Sequence, residues 1–244
     1  MAEWFHACYE GFCQWFDTFR IKFINDFITD DRWRYIWNGL GITLKVTFFA
    51  AIIGIILGFL VAMIRSTHDT TGKMKVGNAI CRVYLTVIRG TPVVVQLLII
   101  YFVIFASVNI DPVIAAIISF GINSGAYVAE IVRSGIMSID KGQMEAGRSL
   151  GFNYVQTMRF IILPQAIKNV IPALGNEFIV LLKETSVSGY IALQDLTKGA
   201  DIIRGRTFDA FLPLIAAALI YLIFVMILSK FVTMLERRLR SRDH

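Results

Sequence analysis

Residues 143–164 read QMEAGRSLGFNYVQTMRFIILP. The stretch is too polar to cross a bilayer, yet long apolar segments flank it on both sides. It opens on good helix formers, Gln143, Met144, Glu145 and Ala146. Gly151 interrupts it, and Pro164 is expected to halt it, because proline cannot continue a helix interior. The pattern predicts a short helix, a break and a second short helix held at a membrane surface. Such a projection suits docking to a soluble partner. The same composition would also serve an ordinary solvated loop.

The flanks decide the class. Of 244 residues, 56% are hydrophobic and 19 are Phe; mean hydropathy is +0.64. Soluble domains lie nearer 45–50% apolar, so the chain reads as an all-α integral membrane protein. A span needs about 20 apolar residues. Five segments meet that length: Ile42–Ile64, about Tyr84–Val108, about Val113–Ile136, about Val170–Ile191 and Phe211–Val232. The fourth is unusually polar, and the fifth is the cleanest. Before them, residues 1–41 form a separate amphipathic segment. Trp4, Cys8, Phe12, Trp15, Phe19 and Phe23 recur at helical spacing, as in a helix lying in the membrane interface. Residues 42–244 then form one transmembrane domain.

Five spans put the termini on opposite sides. Residues 65–83, 133–168 and the tail from 230 carry fourteen Lys and Arg; residues 1–41, 109–112 and 190–210 carry seven. The positive-inside rule therefore places the N-terminus outside, and the C-terminus and residues 143–164 in the cytoplasm. That bias accounts for the isoelectric point near 9.3 without invoking a nucleic-acid partner. The cysteines, Cys8, Cys13 and Cys81, show no CxxC spacing and predict no metal site. Cys8 and Cys13 could pair on an oxidising face.

Charges within the spans are costly and normally face the bundle interior with a partner. Matching depths pairs Arg89 with Glu130 near the cytoplasmic ends, and Lys45 with Glu184 toward the outer ends. Glu177 lies nearer mid-span. Asn123, Tyr127, Glu130 and Ser134 share a helical face next to Ser124; Asn176, Lys183 and Ser186 share another, flanked by Glu177. Two polar faces in neighbouring spans could line a path for a zwitterionic solute, or simply hold helices together by hydrogen bonds.

The quoted stretch resembles the EAA loop of bacterial ABC-importer permeases. Glu145, Ala146 and Gly151 fit that pattern, and Ile161, Leu163 and Pro164 follow nine residues after the glycine. Gly147 departs from it, standing where the family has a second Ala, and is expected to loosen the short helix slightly. RGTPVVVQL (89–97), GAYVAEIVRSGI (125–136), KGQMEAGRSLGF (141–152) and GNEFIVLLKETS (175–186) resemble the polar amino-acid branch, whose members take arginine, histidine, lysine, glutamine, glutamate, cystine or opines. The resemblance covers residues 40–235 and implies a type I importer fold in a prokaryotic inner membrane. It further implies a second permease copy or related permease, two ATPase subunits that bind ATP-Mg, and an extracytoplasmic amino-acid-binding protein. The permease itself would hold no cofactor and do no chemistry. Two other classes compete. An ion-gradient-driven secondary transporter would favour inverted repeats, and none is evident. A membrane enzyme would need a catalytic constellation, and there is no Walker A, HExxH or GxSxG sequence.

Overall fold

The computed structural model describes residues 14–240, and these are helical throughout with short turns between helices. Cys8, Cys13 and the first aromatic residues of the amphipathic pattern lie outside the described residues. Helix α1 (14–23) runs into a π-helical turn, Ile24–Ile28. Helices α2 (Trp33–Thr71), α3 (Lys75–Gly90) and α4 (Val93–Ile99, extended by a π turn to Ile104) follow. Then come α5 (Pro112–Met137), α6 (Lys141–Ser149), α7 (Tyr154–Thr157), α8 (Leu163–Glu184), α9 (Leu196–Thr207) and α10 (Phe211–Arg240).

Three helices, α2, α5 and α10, are long and apolar enough to span a membrane, and a fourth span is formed if α3 and α4 count as one. These two are bent by 110° at their junction, so the segment expected to span over about 84–108 is a broken helix pair that begins at Lys75. The cause is local. Pro92 has no N–H and drives Thr91 into extended backbone (φ −125°, ψ 148°). Gln96 then fills the break: its side-chain amide donates to Ile88 O (2.7 Å) and Thr91 O (3.0 Å), supplying donors to carbonyls left free at the end of α3.

The core is the α2–α5 crossing. Gly54 and Gly58 on α2, and Gly121 and Gly125 on α5, place a small residue every fourth position along the seam: Gly54 meets Ser124 and Gly125, Gly58 meets Val128 and Ala129, and Gly121 and Gly125 receive Ile53 and Leu57. A methyl at Gly58 would lie 2.6 Å from Val128 Cβ; only glycine lets the backbones approach so closely, which is how membrane helices pack without a hydrophobic drive. Ala126, Val128, Ala129 and Val132 are buried along this seam. Tyr84 ties α3 to it by donating to Ile122 O at 2.6 Å.

Helix α2 is longer at both ends than the predicted span. It begins within the stretch assigned to the N-terminal segment, and it carries Arg65 on its last turns. Helix α8 also differs. Pro164 does not stop a helix: α7 flows through a π-helical turn (Met158–Ile162) into α8, and Pro164 follows that turn by two residues, where the altered hydrogen-bond register accommodates its missing N–H.

Candidate functional site

The stretch 140–164 is built from successive local caps. Asp140 starts α6 by accepting from Gly142 N at 2.7 Å. The helix ends in a Schellman motif: Phe152 N donates to Gly147 O (3.1 Å) and Gly151 N to Arg148 O (3.0 Å). Gly151 has φ +88°, a left-handed conformation that glycine adopts without strain. Asn153 and Gln156 then form a reciprocal capping box, with both hydrogen bonds at 2.9 Å, that starts α7. The two short helices clamp together where buried Gly147 faces Thr157 and Ile161. The glycine expected to loosen α6 is therefore what permits its contact with α7.

This framework leaves Glu145, Ala146 and Pro164 exposed and Leu163 half-buried. It also presents largely exposed apolar side chains, of which only Phe160 is partly flanked, by the Arg159 guanidinium 5.6 Å from its ring centroid and by the Phe152 ring at 6.5 Å. Leu150 is 75% exposed, Val155 68% and Phe160 61%. All three stand on an otherwise polar projection between helices.

A second group lies at the adjoining ends of α2, α3 and α5. Arg65 Nη1 donates to Glu130 Oε1 at 2.6 Å. Arg89 lies 3.7 Å from the same oxygen, and Arg133 lies 3.7 Å from the other. Arg89 also stands over the Tyr127 ring at 5.8 Å. A cavity of about 580 Å³ opens here, lined by Arg65, Arg82, Thr86, Arg89, Tyr127 and Glu130. On the other side of Glu130, a cavity of about 490 Å³ runs past Ser134 and Asn169. Glu130 thus joins three helix ends between two cavities. Sequence reasoning pairs it with Arg89 and misses the closer Arg65, because the expected span ends at Ile64, one residue short of Arg65, whereas α2 runs on to Thr71.

The remaining polar residues divide. Asn123 is buried and donates to Gln96 Oε1 (3.0 Å), bracing the α3–α4 bend. Ser124 donates to Glu177 Oε1 at 2.9 Å and links α5 to α8. Both make the interhelical bonds that hold membrane helices together. Asn176 and Lys183 are exposed on α8, and Ser186 is half-buried just beyond it. Lys45 and Glu184 form no ion pair among the described residues; equal depth along two helices does not turn their side chains toward each other. No cluster of metal-ligating residues occurs among the described residues.

The profile of a family described as the binding-protein-dependent transport system inner membrane component matches residues 51–241. The chain belongs to this family. It is 41% identical over 211 residues to the arginine transport system permease protein ArtQ of Bacillus subtilis, covering 86% of this chain and 94% of that one. It is 38% identical over 215 residues to the glutamine transport system permease protein GlnP of Escherichia coli, covering 85% and 97%. Among solved structures, an amino acid ABC transporter crystallised with histidines matches with TM-score 0.78 and 44% identity, over 84% of this chain and 94% of that one. The inward-facing MetNI methionine transporter shares the fold, with TM-score 0.73 at 20% identity over 86% and 99%. The permease therefore has the type I importer fold, and its relatives are ABC permease subunits, not ion-gradient transporters.

Proposed function

We propose that the permease forms the membrane path of an ATP-driven importer for polar amino acids, with 140–164 as the loop that couples it to a separate ATPase. The observation that carries this reading is the exposure of Leu150, Val155 and Phe160 on a loop in which α6 is capped at both ends and α7 at its start. A rigid projection transmits motion, whereas a flexible one absorbs it. Glu145, Ala146, Gly147, Gly151, Leu163 and Pro164 are its framework. Two ATPase copies binding ATP-Mg would dock below a permease dimer, and an extracytoplasmic binding protein would deliver the solute.

In this reading the chain crosses the membrane five times, α8 being the polar span, with α1 and α9 outside and the coupling loop and C-terminus in the cytoplasm. The basic-residue bias supports that orientation. The solute would pass the faces carrying Tyr127, Glu130, Glu177, Asn176, Lys183 and Ser186, with Asn123 and Ser124 fixing the helices behind them. A zwitterion fits such a path: the arginines about Glu130 offer donors for a carboxylate, and Glu177 offers an acceptor for an ammonium.

Co-purification tests the coupling surface. Leu150→Asp or Val155→Asp places a charge at an apolar contact and is expected to lose the ATPase while leaving the permease folded, because both side chains are already exposed. Full retention of the ATPase by both variants would refute the assignment.

A further inference from the structure

On the face opposite the coupling loop, Asp26 is fully buried, and neither of its carboxylate oxygens meets a hydrogen-bond donor. It sits in the π-helical turn after α1, packed against the C-terminal end of α9. The neighbouring Phe27 is buried in a cluster with Leu196, Ile203 and Leu212. Through Lys22, Asp26 and Phe27 the segment 14–31 is thus fastened as a strap at the α9–α10 junction.

The charges that face Asp26 are Lys22 on its own helix, Arg32 at the head of α2 and Asp209 between α9 and α10. Both cations are engaged elsewhere. Lys22 Nζ pairs with Asp209 Oδ2 at 3.1 Å. Arg32 donates to Asn25 O at 2.7 Å and to Asp30 Oδ2 at 2.8 Å. Thr207 is also near, but its hydroxyl donates to Ile203 O at 3.0 Å. The last carbonyls of α9 add the negative end of a helix dipole. An ionised carboxylate without donors or a dedicated counter-ion is costly to bury, whereas a protonated one carries no charge to desolvate.

We infer that Asp26 is a proton-operated latch: with its proton it holds the strap on the α9–α10 junction, and on losing it, it releases the strap. Burial foremost, aided by Asp209, pushes the Asp26 carboxyl above its ordinary value of 3.8, against the pull of Thr207, Lys22 and Arg32. A raised value means that the closed strap binds the proton more tightly than the open one. Closure is therefore fully favoured below 3.8 and is lost as pH rises through the higher, closed-state value. The inference takes from the proposed function only the side of the membrane on which the strap lies, and its test needs no transport.

Hydrogen exchange of the full permease in nanodiscs, read as protection factors for residues 14–31 between pH 4 and 9, decides it. The wild type is expected to lose protection with rising pH, up to about tenfold per pH unit by which the closed-state value is raised. Asp26→Asn, which cannot ionise, is expected to stay protected throughout. Asp209→Asn removes the like charge and is expected to move the transition to lower pH. A flat wild-type profile, or Asp26→Asn following the wild-type curve, would overturn the latch. Should Asp26→Asn also lower protection in α2 and α5, the direction of the Asp209→Asn shift decides instead, and a shift to higher pH would overturn it.

Discussion

Restoring the family's second alanine, Gly147→Ala, sets two effects of similar size against each other. On an exposed helix the change stabilises by about 1 kcal/mol, because alanine loses less backbone freedom on folding. Here the new methyl would lie 2.6 Å from Thr157 Cγ2, 2.9 Å from Ile161 Cδ1 and 3.0 Å from Thr157 Oγ1. Ile161 can give way, since Cδ1 ends a flexible side chain. Thr157 cannot do so cheaply: it is fully buried, β-branched, and bonded through its hydroxyl to Asn153 O at 3.0 Å. Overpacking of this kind costs about 1–3 kcal/mol, so the net effect is a loss of about 1 kcal/mol in the α6–α7 contact. The substitution should lower both the thermal midpoint of the permease and its ATPase coupling in proteoliposomes. Thr157→Ser deletes Cγ2 and keeps the hydroxyl, so the double variant Gly147→Ala/Thr157→Ser should recover most of the loss. Gly147→Ala that is more stable than wild type, or indifferent to Thr157→Ser, would refute this packing account.

Two further outcomes follow from single contacts. Asp195 caps α9 by accepting from Lys198 N (2.9 Å) and Thr197 N (3.3 Å), and burial pushes its carboxyl up to about 6. Because that value is raised, the associated stability is present below 3.8 and disappears as pH rises through about 6. The thermal midpoint should therefore be higher at pH 5 than at pH 7.5; Asp195→Asn, an equal cap, should flatten this slope, and Asp195→Ala should lose about 1 kcal/mol at both. Glu130→Gln leaves Arg65, Arg89 and Arg133 without their shared carboxylate. It should destabilise by about 1–3 kcal/mol in denaturant unfolding, with Arg65→Met costing less when made in that background than alone.

The sequence disclosed most where its signals were local. Gly151 is legible as a break because weak helix propensity belongs to the residue itself, and the Schellman bonds around it involve only near neighbours. The charged clamp at Glu130 was half legible: Arg89 lay at a matching depth, but Arg65 fell outside because span length was counted while α2 runs on to Thr71. Pro164 departs from the propensity rule because a π-helical turn before it, which residue propensities do not encode, lets the chain enter α8 without a stop. Lys45 and Glu184 were matched by depth alone, which says nothing of the direction in which each side chain leaves its helix. Gly147 was judged by propensity, whereas its packing against Thr157 sets its role. The bend at Thr91–Pro92 carried a clear sequence signal, but its angle depends on Gln96 reaching back to the end of α3.

The most direct test of the account is uptake into proteoliposomes holding the permease with its ATPase and binding protein. Labelled arginine, histidine, glutamine, glutamate and cystine would be compared with and without enclosed ATP. The account predicts uptake of a polar amino acid that requires ATP and fails when Leu150→Asp detaches the ATPase. Uptake that ignores ATP and follows an imposed ion gradient would contradict it.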